Sequence, residues 1–150
     1  MTKNSIGLIE LTSIAAGYEV GDAMLKAADV EILLSRSICS GKYMVLIGGD
    51  VSAVKSSVDA GTVVGKGCVI DTFVIPNVHA SVFPAIAGAA QVENFDALGI
   101  IESFSVASLI EGSKEISMCG RRNIRWTQTS IVAKVGVLTA VTDVVPFAKR

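Results

Sequence analysis

Ile6-Gly-Leu-Ile-Glu10, near the start of the chain, returns as Leu98-Gly-Ile-Ile-Glu102, and with Gly7 answering Gly99 the offset is 92 residues. A five-residue block that recurs across more than half of a 150-residue chain points to an internal duplication. At the same offset Ser13 matches Ser105, Ala15 matches Ala107, Glu19 matches Glu111, Ile32 matches Ile124 and Lys42 matches Lys134. Two copies of one fold are expected, a first domain over 1–93 and a second, incomplete one over 94–150.

Outward from the first block, Asn4 to Leu11 has strand composition, and after Thr12-Ser13 the spacing of Ala16, Val20, Ala23, Met24 and Ala27 predicts one face of a helix. Two further apolar runs are Val30 to Ile38 and Lys42 to Gly48. The short link Cys39-Ser40-Gly41 between them predicts an antiparallel hairpin with a cysteine at its tip. Asp50 is placed to cap a second helix carrying Val51, Val54 and Val58, with Gly61 and Gly65 punctuating its end. A strand from Gly67 to Ile75 stops at Pro76, and Ala80 to Ala90 predicts a short third helix. Strand, helix, strand, strand, helix, strand is the order of the ferredoxin-like, split βαβ arrangement, an α+β fold. The second copy repeats this only as far as a hairpin strand over Val135 to Ala140, so its fold is expected to be truncated and its sheet edge to need covering.

Composition narrows the function. Hydrophobic residues make up 51% of the chain and charged residues only 18%, against about 25% charged in ordinary domains. Apolar surface on that scale calls for self-association as well as a core. No run approaches the roughly 20 apolar residues of a spanning helix, because Lys134 and Asp143 interrupt the most hydrophobic stretch, Ile131 to Phe147. The N-terminal stretch, with Glu10 inside it, lacks the pattern of a secretory signal. A cytosolic protein without a membrane partner is expected. Net charge of −1 with scattered basic residues gives no stripe for nucleic acid, and Arg121, Arg122 and Arg125 form only a short cluster that reads as a solvated face. Three cysteines, Cys39, Cys68 and Cys119, include no C-x-x-C pair, so neither a disulfide framework nor a zinc site within one chain is expected.

Gly21-Asp-Ala-Met-Leu-Lys-Ala-Ala-Asp-Val30, with Ile6 to Glu10 before it and Gly48-Gly-Asp-Val51 after it, resembles the signature of bacterial microcompartment (BMC) shell domains. The likeness covers the whole first copy and the start of the second, which implies a tandem-domain member, a non-enzymatic shell tile assembling as a homotrimer that imitates a hexamer. The resemblance further implies other shell proteins as neighbours, and a place in the microcompartment shell. Ser35-Arg-Ser-Ile-Cys39-Ser-Gly-Lys42 is similar to the pore hairpin of the members that serve propanediol utilisation. That likeness implies a 4Fe–4S cluster on the trimer axis ligated by Cys39, with lumenal redox enzymes among the partners, and a pore lined by Ser37, Ile38, Cys39, Ser40 and Gly41. Threefold symmetry would turn one cysteine per chain into three converging thiolates, leaving one iron of a four-iron cluster to another ligand. The departures from the family are the truncated second copy and Ile131-Val-Ala-Lys134 in place of Cys39-Ser-Gly-Lys42.

The remaining chemistry-bearing residues have plainer readings. Cys68 and Cys119 read as core residues, the latter matching Ala27 on the helix face. His79, the only histidine, reads as a solvated or capping residue. Glu10 and Glu102 recur through duplication and read as a repeated structural hydrogen-bonding position rather than an acid–base pair. The resemblance to shell domains implies a tile-edge place for Lys26, its stem flat and its ammonium reaching carbonyls across the seam, with Met118 at the matching place. Gly48 and Gly49 lack a phosphate-loop pattern around them and read as a tight turn. Three readings stand: a tile carrying a cluster, a tile whose open pore passes small polar metabolites, and a small ferredoxin-like ligand-binding or regulatory module.

Overall fold

Seven consecutive residues, Ser5–Leu11, form β1 and are all buried, because this strand is central in its sheet and covered on both faces. Ile9 and Leu11 pack with Val20, Met24, Val54 and Val58 on the helical side, while Ile6 and Leu8 pack with Met44, Leu46, Ile75 and Val82 on the other. A strand buried on both faces reads in sequence as a continuous apolar run, with the period of two showing only in which core each side chain joins.

The computed structural model describes residues 4–39, 41–78, 82–86, 97–103, 124–132 and 135–142, the last three segments and Cys39 as backbone. The first copy runs β1, α1 (Ile14–Ala27), β2 (Val30–Cys39), β3 (Lys42–Gly49), α2 (Val51–Val64), β4 (Val69–Ile75), and then α3 (Val82–Ile86). The sheet order β2-β3-β1-β4, with β1 antiparallel to both neighbours, is the expected ferredoxin-like arrangement. The predicted cap at Asp50 forms: its Oδ2 accepts from the Ser52 amide at 3.3 Å and from the Ser52 hydroxyl at 2.8 Å. Ser13 caps α1 in the same way, its Oγ accepting from the Ala16 amide. Each satisfies amides that the first turn leaves without helical partners.

The helices meet the sheet through small residues, at positions that differ from those the apolar spacing predicts. On α1 the buried positions are Gly17, Val20, Gly21 and Met24, whereas Ala27 is exposed. Gly61, expected to mark a helix end, is inside α2, and a Cβ there would lie 2.6 Å from Ile9 Cδ1 and 2.7 Å from Met24 Cγ. It is one of the points of close approach between α2 and its neighbours, as is Gly7 of β1 against Val54 and Val58. The helix ends at Gly65, the other glycine expected at that end, whose amide donates to the Gly61 carbonyl.

The second copy contributes β5 (Ala97–Ser103), β6 (Ile124–Val132) and β7 (Val135–Thr142), a sheet ordered β5-β7-β6. This is the order β1-β3-β2 of the first copy. β5 repeats β1 at an offset of 92, but the hairpin does not keep that offset. Val30 pairs with Gly49 at one end of the first hairpin and Cys39 with Lys42 at the other. The matching pairs in the second are Ile124 with Thr142 and Val132 with Val135. Ile124 therefore answers Val30 rather than Ile32, and Val135 rather than Lys134 answers Lys42. The offset is 94 at Ile124 and 93 at Val135, and the step between them arises because β2 carries two extra residues at its bulges and β6 only one.

Candidate functional site

The hairpin of β2 and β3 narrows to the pair Cys39 and Lys42, joined by residues 40 and 41, so Cys39 closes the strand rather than sitting in the link. Gly41 has φ +77°, the left-handed conformation that glycine adopts without a Cβ penalty, and among the described residues nothing lies within 4 Å of the place a Cβ would occupy.

Two bulges shape the strand that delivers the cysteine. Register slips between Ile32 and Leu34 and again between Ser37 and Cys39, so Leu33 and Ile38 are the extra residues. A bulge interrupts the alternation of a strand and re-aims the residues beyond it. The second lies immediately before Cys39. β6 has one slip, between Gln128 and Ser130, and from Ser130 to Val132 its register is regular. The cysteine hairpin and its counterpart thus differ in backbone as well as in residue type.

Behind the tip, Lys42 Nζ donates to Glu10 Oε1 at 2.8 Å, across from β3 to the central strand. The Glu10 side chain is 3% exposed and that of Lys42 36%. A carboxylate this buried is tolerated only when paired and hydrogen-bonded. Glu10 also lies opposite Asp71 of β4 in register. Glu10 has the structural bonding role read for it from the duplication, but its lysine partner is not legible in sequence, being 32 positions away and on another strand.

Of the other residues singled out in the sequence, Ser37 and Gly41 are exposed and Ile38 is half-buried against the core under α3. Ser40 lies outside the described residues, as do His79, Cys119, Met118, Arg121 and Arg122. Lys26 is on the last turn of α1, its side chain 74% exposed and its ammonium 2.6 Å from Asp22 Oδ2 one turn earlier. Cys68 is not a strand residue. It ends the turn before β4, half-buried, with its carbonyl accepting from the Thr12 amide at 2.8 Å. Among the described residues no three His, Cys, Asp or Glu side chains gather as a metal site, and no helix is long and apolar enough to cross a membrane.

A BMC domain model matches residues 5–78, from β1 to the residues just past β4. Bacterial microcompartment shell protein PduT of Citrobacter freundii is 50% identical over 106 residues, which cover 71% of this chain; the chain spans 58% of the length of that relative. Shell protein PduA of Salmonella typhimurium is 37% identical over 84 residues, 55% of this chain and 89% of PduA. The crystal structure of a microcompartment protein from Desulfitobacterium hafniense DCB superposes with a TM-score of 0.83 at 45% identity, covering 93% of this chain and 78% of the other. The fold, the matched domain and these relatives agree, and the chain belongs to the BMC-domain shell proteins of bacterial microcompartments.

Proposed function

We propose that the chain is a shell tile that assembles as a homotrimer beside other shell proteins, with three copies of the β2–β3 hairpin meeting on the threefold axis. There Cys39 holds a 4Fe–4S cluster, and the tile carries electrons between the cytosol and lumenal redox enzymes. Its part is structural and electron-conducting rather than enzymatic. The observation that supports this most is the cysteine at the closing pair of a hairpin turned by a left-handed glycine, next to a bulge that its counterpart lacks.

The donor set suits the group. Thiolate is the ligand type of iron–sulfur clusters, and one cysteine per chain becomes three by symmetry. Lys42, the cation nearest in register, is neutralised by Glu10, so the hairpin carries no unpaired ammonium of its own to compete for the thiolate. A cluster so held supplies one reversible electron. The chain supplies ligands, spacing and a route through the tile.

The test is the iron and acid-labile sulfide content of protein purified without oxygen, with its visible and electron paramagnetic resonance spectra, alongside Cys39→Ser. One cluster per trimer, lost in the variant, is the expected result. Iron-free wild-type trimers would remove the redox role. The second reading, a pore lined by Ser37, Ile38, Cys39, Ser40 and Gly41 that passes small polar metabolites, draws on the exposed polar positions Ser37 and Gly41 and would then account for the tile better.

A further inference from the structure

Two hairpins of one chain share a plan, and their differences isolate what accompanies the cysteine. The glutamate on the central strand is present in both copies, Glu10 and Glu102, at matching places on β1 and β5. The other residues are not shared. Where the first hairpin closes with Cys39 and Lys42, the second closes with Val132 and Val135. The lysine that reaches Glu10 occurs together with the cysteine and is replaced together with it.

Geometry gives the pairing a purpose. Lys42 is the backbone partner of Cys39, so whatever restrains Lys42 restrains the residue across from it. Its ammonium is bound at 2.8 Å to a carboxylate buried on β1, the strand held between two others and under two layers of side chains. A hairpin end beyond a bulge, closed by a glycine turn, is otherwise free to twist against the sheet. Ligands converging from separate chains must each be held within about 0.5 Å of the productive position.

We propose that Lys42 and Glu10 are positioning residues for Cys39: their ion pair ties the closing pair of the first hairpin to the central strand, so that three copies present Cys39 at one height and orientation around a common axis. This rests on the cluster-bearing tile proposed above. It assigns the pair a role in holding the ligand, beyond satisfying a buried charge.

The experiment compares wild type with Lys42→Arg, Lys42→Met and the double variant Glu10→Met/Lys42→Met. The double variant removes both members of the Lys42–Glu10 pair, so no buried Glu10 carboxylate is left stranded, and it is expected to fold. Trimers are isolated without oxygen and challenged with an iron chelator. Loss of a partner that orients a metal ligand typically weakens metal retention by about 10- to 100-fold, and a fall of that order is expected for both methionine variants, with altered paramagnetic resonance signals. Lys42→Arg keeps the charge and is expected to retain most of the iron.

A second arm needs no cluster. In a Cys68→Ser/Cys119→Ser background a nitroxide on Cys39 reports local motion, and its spectrum is expected to narrow in the double variant and stay broad in Lys42→Arg. A double variant that holds iron as tightly as wild type, with an unchanged nitroxide spectrum, overturns the positioning role. Iron-free wild type sinks the cluster while the nitroxide arm still decides whether the pair fixes Cys39.

Discussion

In the first copy Gly17 of α1 lies against the ring of Tyr43 on β3, so closely that a Cβ on the glycine would fall 2.1 Å from Tyr43 Cδ1. In the second copy the place of Gly17 at the 92-residue offset is held by Leu109, and the register place of Tyr43 by Gly136. At these two places of the sequence large and small have changed sides. Close-packed interiors accept such an exchange only when both members of a contact change together.

The largest effect expected from any change in this chain comes from forcing one half of that exchange. Gly17→Leu overfills the first copy and is expected to cost about 3 kcal/mol or more, above the usual overpacking range because the obstruction is a ring. Tyr43→Gly empties the same site and breaks the 3.0 Å contact between the Tyr43 and Ser35 hydroxyls; about 3–5 kcal/mol is expected from the cavity. The double variant places the residue types of positions 109 and 136 at positions 17 and 43. Denaturant unfolding of all four proteins should give a double-variant loss smaller than the sum of the singles by about 1–3 kcal/mol. Strict additivity would mean that the two copies do not solve the same packing problem.

That exchange also explains how far the sequence can be read. β1 and β5 are legible because a shared backbone role is written in adjacent residues, the Gly-Ile/Leu-Ile-Glu phrase, and the caps Ser13 and Asp50 are legible because they act within three residues of themselves. The hairpins are legible as hairpins but not in register, since bulges at Leu33, Ile38 and Thr129 each move the pairing by one residue without a compositional sign. Gly17, Gly21 and Gly61 escape a linear reading because a glycine that admits a neighbour looks, in one dimension, like a glycine that ends a helix. The cysteine stands out through its family likeness. The Lys42–Glu10 pair behind it, made across strands, has no local signature.

The hairpins supply the next test of the comparison. Lys42→Met strands the buried Glu10 carboxylate, and about 3 kcal/mol is expected, the low end of the range for breaking a buried pair because Lys42 is itself partly solvated. Val135→Met, at the matching place in the second hairpin, breaks no ion pair and should stay under about 1.5 kcal/mol, as for ordinary apolar exchanges. The difference between the two unfolding free energies is the quantity of interest. Equal losses would mean that the lysine adds nothing to the first hairpin that a valine does not add to the second.

The smallest effect concerns the step after each hairpin. Asp50 comes directly after β3 and caps α2, and its carboxyl is held below the ordinary carboxylate value by the Ser52 hydroxyl first, then by the Ser52 and Val51 amides, with slight opposition from burial. In the second copy Asp143 comes directly after β7 at the corresponding place. A carboxylate whose folded value is depressed contributes stability that is present above the unfolded value, 3.8 for an unperturbed aspartate, and lost as pH falls through the folded value. Asn caps a helix nearly as well and does not titrate. Asp50→Asn is therefore expected to lie close to wild type in acid and slightly below it at neutral pH, with the gap closing as pH drops through and below the ordinary aspartate range; added salt should narrow the neutral-pH gap, since the site is open to solvent. Melting curves from about pH 7 down to about pH 3 measure it. A parallel loss in Asp143→Asn would show that both copies begin a helix at this step. A pH profile of Asp50→Asn that runs parallel to wild type throughout would show that the cap is made by the hydrogen bonds alone, with no contribution from the charge.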